Sequence, residues 1–347
     1  MATIGNSFLG LIDLYKRTGK NRDLLPVIEA LNTINPLGED ANYVEANQGT
    51  SHISTIRTGL PAVTWGKLYQ GIPNSKSTTA QVTDTTGFVE GRSQVDERML
   101  QLSKNPGAVR MSEAQPFLEA IAQDVQTNFF YGDDAITPER FKGLGARYNS
   151  LTNKNVVSAG GSGADNTSIW FVTWGDQQTS LIYPEGTAAG ISRTDRGSQQ
   201  VADDLGNYYF AKVEEFRQHV GVTVRDWRFN ARLANIDVSE ALAGNVDLYK
   251  FMTDTYYRLQ GRRNNKIKNG GMVSMGRTVI YMNRTMLNVL DQLATNRGAS
   301  DNFIILRPTE IEGREVMTWR GMPIRETDAI IDNEACLLYT SDAADDM

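Results

Sequence analysis

The sequence predicts an α+β protein with long appendages, on three observations. Residues 112–130 carry the periodicity of one long, one-faced helix. Residues 46–95 are dense in threonine, serine, valine and isoleucine and read as a long hairpin with little apolar surface for its length. The 31 glycines and 10 prolines among 347 residues break the remainder too often for a helical bundle.

In chain order, residues 1–45 read as an arm. Phe8, Leu11, Ile12 and Tyr15 line one short helix face, and Leu24, Leu25, Ile28 and Leu31 another, with Pro26 in its first turn. Neither piece is long enough to stand alone in water, so each must lie on something. In the next segment, Ser51-His52-Ile53-Ser54-Thr55-Ile56-Arg57 alternates without a cleanly apolar face. Gly71-Ile72-Pro73-Asn74-Ser75-Lys76 is its turn-rich tip, and residues 77–85 return. An isolated two-stranded hairpin is marginal, so this one also implies a partner. Residues 95–101 read as a short helix.

The long helix opens at Ser112, an N-cap residue with Gln115 three positions on, and Pro116 falls near its first turn. Ala114, Phe117, Leu118, Ile121, Val125 and Phe129 recur on one face, with Glu119, Gln123, Asp124 and Gln126 on the other. Gly132 ends it. Phe141-Lys142-Gly143-Leu144-Gly145 follows, its glycines permitting a tight or left-handed backbone.

Residues 149–166 form a polar, glycine-rich link. The run 168–174 is strongly β-prone, with 179–183 as its hairpin partner across Gly175-Asp176; 184–206 reads as loop. Residues 208–216 and 220–227 read as two strands joined by Arg217-Gln218-His219. Leu248, Met252, Thr255, Tyr256 and Leu259 mark a helix stopped at Gly261, before the basic loop Arg262-Arg263-Asn264-Asn265-Lys266. Residues 277–282 are a strand. Asn283 caps a third helix with Met286, Leu287, Leu290 and Leu293 inward. Short strands at 303–306, 315–319 and 323–325 close the chain. Residues 337–347 look foreign to what precedes them and resemble a translated sequencing-adapter tail, so they are expected to be non-native.

Composition narrows the chemistry. Cys336 is the only cysteine, so no intrachain disulfide can form. His52 and His219 are the only histidines, which argues against a zinc cluster. The net charge of −6 does not indicate a globally basic nucleic-acid binder. No run approaches a membrane span. The phosphate-loop, dinucleotide and nucleophile-elbow patterns all fail: Gly66-Lys67 is followed by Leu68, Gly143-x-Gly145 lacks a third glycine, and Gly161-Ser162-Gly163 breaks at Ala164. Arg225, Arg228 and Arg232 sit among Glu214, Glu215 and Asp226, which makes ion pairs at least as good a reading as nucleic-acid contact. No catalytic, cofactor or metal residue is expected.

This order of arm, hairpin, long helix and mixed body resembles the major capsid proteins of tailed bacteriophages, with their Hong Kong 97-type fold. The words that carry the resemblance are Asn128-Phe129-Phe130-Tyr131-Gly132-Asp133 and Phe141-Lys142-Gly143-Leu144, then Ser168-Ile169-Trp170-Phe171-Val172-Thr173-Trp174-Gly175. Val224-Arg225-Asp226-Trp227-Arg228, Tyr281-Met282-Asn283-Arg284 and Trp319-Arg320-Gly321-Met322-Pro323 follow in the same order. The stretch from Ser168 to Gly175 and the run from Val224-Arg225-Asp226-Trp227-Arg228 to Arg232-Leu233-Ala234-Asn235-Ile236 resemble the epsilon-fifteen-like podophage subfamily. The resemblance covers about residues 1–336.

The resemblance implies roles. Residues 1–45 would be the N-terminal arm, 46–95 the extended loop over an adjacent subunit, and 96–149 the peripheral domain with its spine helix. Residues 241–309 would be the axial domain and 310–336 the return strands of the peripheral domain; 150–240 is a mixed β segment without a firm assignment. Trp65, Lys67, Lys76, Arg92, Arg262 and Arg263 are the expected self-assembly contacts. The implied partners are the protein itself, in pentamers and hexamers, with scaffolding, portal and decoration proteins, and packaged DNA by non-specific proximity, but no membrane. The implied location is the virion capsid, with host cytoplasm during assembly. Lys67 and Lys76 also raise lysine–asparagine cross-linking between subunits, although no partner motif is visible. The competing readings are an encapsulin-like shell of a cellular compartment and, more remotely, a hydrolase using Asp133 or Asp203.

Overall fold

The computed structural model describes residues 34–203, 205–260, 267–268, 271–272, 276–296, 307–311 and 314–338. Its helices are α1 (Leu37–Asp40), α2 (Glu97–Leu102), α3 (Pro106–Tyr131), α4 (Leu144–Arg147), α5 (Val238–Leu242), α6 (Leu248–Arg258) and α7 (Arg284–Asn296). The strands are β1 (Tyr43–Glu45), β2 (Ser51–Gly59), β3 (Thr78–Asp96), β4 (Val156–Ser158), β5 (Asn166–Trp174), β6 (Thr179–Tyr183), β7 (Ile191–Ala202) and β8 (Tyr208–Val224). They continue as β9 (Ala231–Asp237), β10 (Ile267–Lys268), β11 (Gly271–Met272), β12 (Arg277–Met282), β13 (Arg307–Ile311), β14 (Arg314–Trp319) and β15 (Met322–Glu326). The described chain forms two compact units. The larger comprises Ile34–Thr86, Thr127–Thr187 and the chain from Gly221 onward; the smaller comprises Gly87–Gln126 and Ala188–Val220.

The larger unit is built on β5, every residue of which is buried. A strand covered on both faces reads as a continuous apolar run rather than an alternating one, as Ile169-Trp170-Phe171-Val172 does. β5 pairs antiparallel with β12 (Val172↔Val279) and with β9 (Ile169↔Leu233). β15 lies parallel to β12, β14 pairs with β15, and β13 with β14. The strand's period of two sends Ile169 and Phe171 into a cluster with Leu248 and Met252 of α6 and Met286, Val289 and Leu290 of α7. Trp170 and Trp174 point the other way, into an aromatic layer: Phe129 stacks on Trp174 at 5.4 Å, and Phe130 and Tyr148 meet Trp170 at 6.2 and 6.0 Å.

Both covering helices start where the sequence says they should. Asp247 accepts the Lys250 amide at 3.2 Å, and Asn283 the Met286 amide at 2.9 Å. Of the two reasons expected for the glycines after α3, a tight or a left-handed backbone, the structure shows the tight one. None of Gly132, Gly143 and Gly145 is left-handed; all three let backbone approach backbone. A Cβ on Gly143 would lie 2.4 Å from the Asn128 carbonyl, and one on Gly145 2.6 Å from that of Phe130.

Two buried carboxylates fasten peripheral segments of this unit. Glu334 accepts from Arg232 (2.8 Å), Tyr131 (2.5 Å) and Ser168, and Arg232 lies 4.8 Å from the Trp170 ring centroid. Burial, then the Glu334 charge, pushes the Tyr131 phenol far above its ordinary pKa, so it stays a donor. Asp40 takes Arg277 at 2.6 Å, Arg325 at 3.0 Å and the Tyr281 hydroxyl at 3.0 Å.

In the smaller unit, Phe117 of α3 stacks on Phe216 of β8 at 5.5 Å. Val95, Met99, Leu100 and Val109 form a compact apolar cluster. Glu214 is buried and paired with Arg193 at 2.8 Å and with Arg110, which also reaches Asp195 at 2.8 Å.

The structure corrects several expectations. α3 starts at Pro106, six residues before Ser112, because Asn105 caps it (Ala108 amide, 3.2 Å) and proline at the first helical position is preorganised. Pro116 therefore lies mid-helix, on an exposed position where the carbonyl it leaves unbonded can be hydrated. Gln126, assigned to the polar face, is buried. β3 runs on to Asp96, and α2 begins only at Glu97, with Asp96 accepting the Arg98 amide. Residues 179–183 are not the hairpin partner of 168–174: β5 and β6 share only the parallel pair Trp174↔Thr179, while β6 pairs with β1 and β8. The expected loop at 184–206 contains β7, paired along β8 from Ile191↔Gln218 to Ala202↔Tyr208. β8 is one strand that runs straight through Arg217-Gln218-His219. The arm helices, Arg262, Arg263 and the strand expected at 303–306 lie outside the described residues.

Candidate functional site

The hairpin of β2 and β3 has two unlike ends. At its base, His52↔Asp84 are cross-strand neighbours, and each is tied to the rest of the larger unit. Asp84 pairs with Arg147 at 2.7 Å, and Arg147 also donates to the Val222 carbonyl at 3.0 Å. His52 Nε2 lies 3.0 Å from an Arg225 guanidinium nitrogen and accepts from it, which leaves the ring proton on Nδ1 and the imidazole neutral. Burial and then Arg225 push the His52 pKa below its ordinary value, with Asp84 pulling the other way. The Thr86 amide and hydroxyl both donate to the Thr50 carbonyl, at 3.0 and 2.9 Å.

Beyond Gly59↔Thr78 the ladder ends. Residues 60–77 are held by few internal bonds, among them Ser75 to the Ala62 carbonyl (2.7 Å) and a turn from Lys67 to Gln70 with Tyr69 at φ 64°. Leu60, Val63, Trp65, Leu68, Tyr69 and Ile72 are between 83% and 107% exposed. Contiguous apolar surface of this kind marks a place where another molecule sits.

Of the expected contact residues, Trp65, Lys67 and Lys76 share this loop and are exposed. Neither lysine has an ion pair among the described residues. Arg92 belongs to the smaller unit, where it is exposed and lies 3.4 Å from Gln199 Oε1. Sequence reasoning missed Leu60, Val63, Leu68, Tyr69 and Ile72. Their signal was present: apolar residues set between Pro61, Gly66, Gly71 and Pro73 in no strand or helix period.

The other candidates are accounted for locally. Asp226 holds Arg228 with both carboxylate oxygens, and Arg232 is buried on Glu334. Asp133 accepts the Ala135 amide at 2.9 Å. Asp203 accepts those of Leu205 and Asn207, at 2.9 and 2.7 Å, and the amides hold its pKa below the ordinary value. Both carboxylates shape turns.

The α+β body that carries this loop has the Hong Kong 97-type phage capsid fold, the fold of a class of shell-building proteins. The model of the family "Major capsid protein GP7" matches residues 19–338, and the chain belongs to that family. It is similar, at 33% identity and a TM-score of 0.73, to a chain of the near-atomic-resolution structure of bacteriophage Epsilon15, with 98% of this chain and 100% of that one covered. It is also similar to the capsid of the native GTA particle (10% identity, 61% and 94% covered, TM-score 0.43). A further similarity is to the holo-SrpI encapsulin complex from Synechococcus elongatus PCC 7942 (12%, 66% and 97%, 0.43). No curated protein matches. The chain is a phage major capsid protein, a structural component of the virion shell.

Proposed function

We propose that this chain builds an icosahedral shell around phage double-stranded DNA, from pentamers and hexamers, by laying residues 60–77 over an adjacent subunit. The observation that carries this reading is the loop itself: six large apolar side chains without cover, on a hairpin whose base is fastened by a buried ion pair. The fastened base fixes where the bare tip leaves the body, and residues 60–77, with few bonds of their own, take their order from the copy they lie on. In this reading residues 1–45 are the arm, 96–149 and 310–336 the peripheral domain and 241–309 the axial domain. Trp65, Lys67 and Lys76 face the neighbouring copy; Arg92, Arg262 and Arg263 contribute at other contacts. Scaffolding, portal and decoration proteins act on the shell from outside this chain, and assembly takes place in the host cytoplasm.

The test replaces residues 60–77 with a short glycine linker. The expected product has the thermal unfolding of the parent subunit and gives no closed particles by negative-stain electron microscopy. Closed particles from this variant would overturn the loop assignment. Nuclease-protected DNA in particles purified from infected cells checks the cargo.

A further inference from the structure

We propose that an open groove beside β2 in one copy receives the β7–β8 turn of a second copy, in a head-to-tail contact. The inference rests on the shell reading. The groove, about 620 Å³, is lined by Ile56, Arg57, Gln177, Arg225, Trp227 and Arg228, together with Asp226. It holds three guanidiniums against one carboxylate; Asp226 and Arg228 pair with each other at 2.9 and 2.7 Å, which leaves Arg57 and Arg225 as the groove's excess positive charge.

Among the described residues Arg225 has no carboxylate partner. It donates to the Asp176 carbonyl and to the neutral His52 ring, and its Nε is buried without a partner. Arg57 is exposed and has no ion pair among the described residues. A partly buried cation that meets only dipoles is poorly compensated for its lost hydration, so an anionic group closing over this groove gains more than it would on open surface.

The chain itself says which of its surfaces fits. The loop 60–77 contains Lys67 and Lys76 and no acidic residue, so it would bring like charge. The β7–β8 turn is the opposite. Residues 198–211 contain Asp203 and Asp204 and no lysine or arginine. Leu205, Tyr208 and Phe210 there are 87%, 71% and 58% exposed. That turn offers negative charge to the guanidiniums and apolar surface to Trp227, itself 40% exposed, and to Ile56. Asp203 is anchored by the amides of Leu205 and Asn207, so its carboxylate needs no ordering on contact. Groove and turn are different patches of one chain. Such a contact is heterologous and propagates around a ring, the arrangement a shell of identical subunits requires.

Gln177 and Leu205 are both exposed and suit cysteine cross-linking. In a Cys336→Ser background, chains carrying Gln177→Cys and chains carrying Leu205→Cys are expressed together with an excess of the parent chain, and shells are collected and oxidised. The expected result is a reducible dimer containing one of each variant, absent when either variant is present alone. Adding Arg57→Glu to the Gln177→Cys chain lowers its yield about tenfold while subunit unfolding is unchanged. Shells that contain both variants and give no mixed dimer would overturn the proposal and leave the shell reading standing. If the parent chain forms no shells by electron microscopy, the shell reading falls and takes this inference with it.

Discussion

Trp170 and Trp65 make the same demand on water and meet it in opposite ways. Trp170 lies on β5 at 0% exposure, between the rings of Phe130 and Tyr148 and the guanidinium of Arg232. Trp65 lies in the loop 60–77 at 97% exposure. The β5 run is covered by its own chain: the body supplies strands on both edges and side chains on both faces. The loop has only its hairpin base and lies uncovered; in the proposed shell, its cover is an adjacent copy. Burial within the chain stabilises the subunit, and burial between chains stabilises the shell. Substitutions in the two places should therefore separate cleanly.

The largest expected effect comes from the buried pair behind β5. Glu334→Ala leaves Arg232 charged and unpaired at a site where both side chains are almost fully buried, and should destabilise the subunit by about 3–5 kcal/mol in chemical denaturation. Trp170→Ala should destabilise it by a similar amount, about 3–5 kcal/mol, through the cavity it leaves. Gly143→Ala drives a methyl group into the Asn128 carbonyl and should destabilise by about 2–3 kcal/mol. A subunit that tolerated all three would remove the contrast between the two regions.

Trp65→Ala should move unfolding by no more than about 0.5 kcal/mol, as surface substitutions do. Measured by light scattering, the subunit concentration needed for assembly should rise by about tenfold or more, as when an aromatic anchor is cut from an interface. Equal effects on unfolding and assembly would mean that the loop packs on its own chain. The smallest effect concerns pH. His52 has its folded-state pKa below the ordinary value of 6.5, so as pH falls below 6.5 the unfolded chain takes up the proton first. Its stabilising contribution is complete above pH 6.5 and is lost as the solution is acidified. His52→Gln should therefore shrink the fall in Tm between pH 7 and pH 5 by about 1–2 °C.

How much could be read from the sequence depended on how local the signal was. β12 and α7 were legible almost to the residue, because apolar period and the Asn283 cap lie within a few positions of each other. β7 was invisible. Its side chains are mostly exposed, Ile191-Ser192-Arg193-Thr194-Asp195-Arg196 shows no alternation, and it exists because β8 offers it a hydrogen-bonding edge. The start of α3 was misplaced because Ser112 and Asn105 are both good caps, and only the packing of Val109 against Val95, Met99 and Leu100 chooses between them. In the loop, Trp65, Lys67 and Lys76 were singled out through the extended loop that the family resemblance implies; the five other apolar residues carried a signal in their irregular spacing, but spacing alone does not say whether such residues are covered or bare.

By itself, then, the sequence determined what its neighbouring residues decide: the helical periodicities, the Asn283 cap, the β-prone runs, the lack of an intrachain disulfide, and a hairpin too poor in apolar surface to support itself. The tertiary structure decided what distant residues decide: which strands pair, that Gly132, Gly143 and Gly145 serve close backbone approach, and that Glu334 and Asp40 find their arginines. It also decided which apolar side chains remain without cover, because exposure is a property of the assembled surface and no window of sequence contains it.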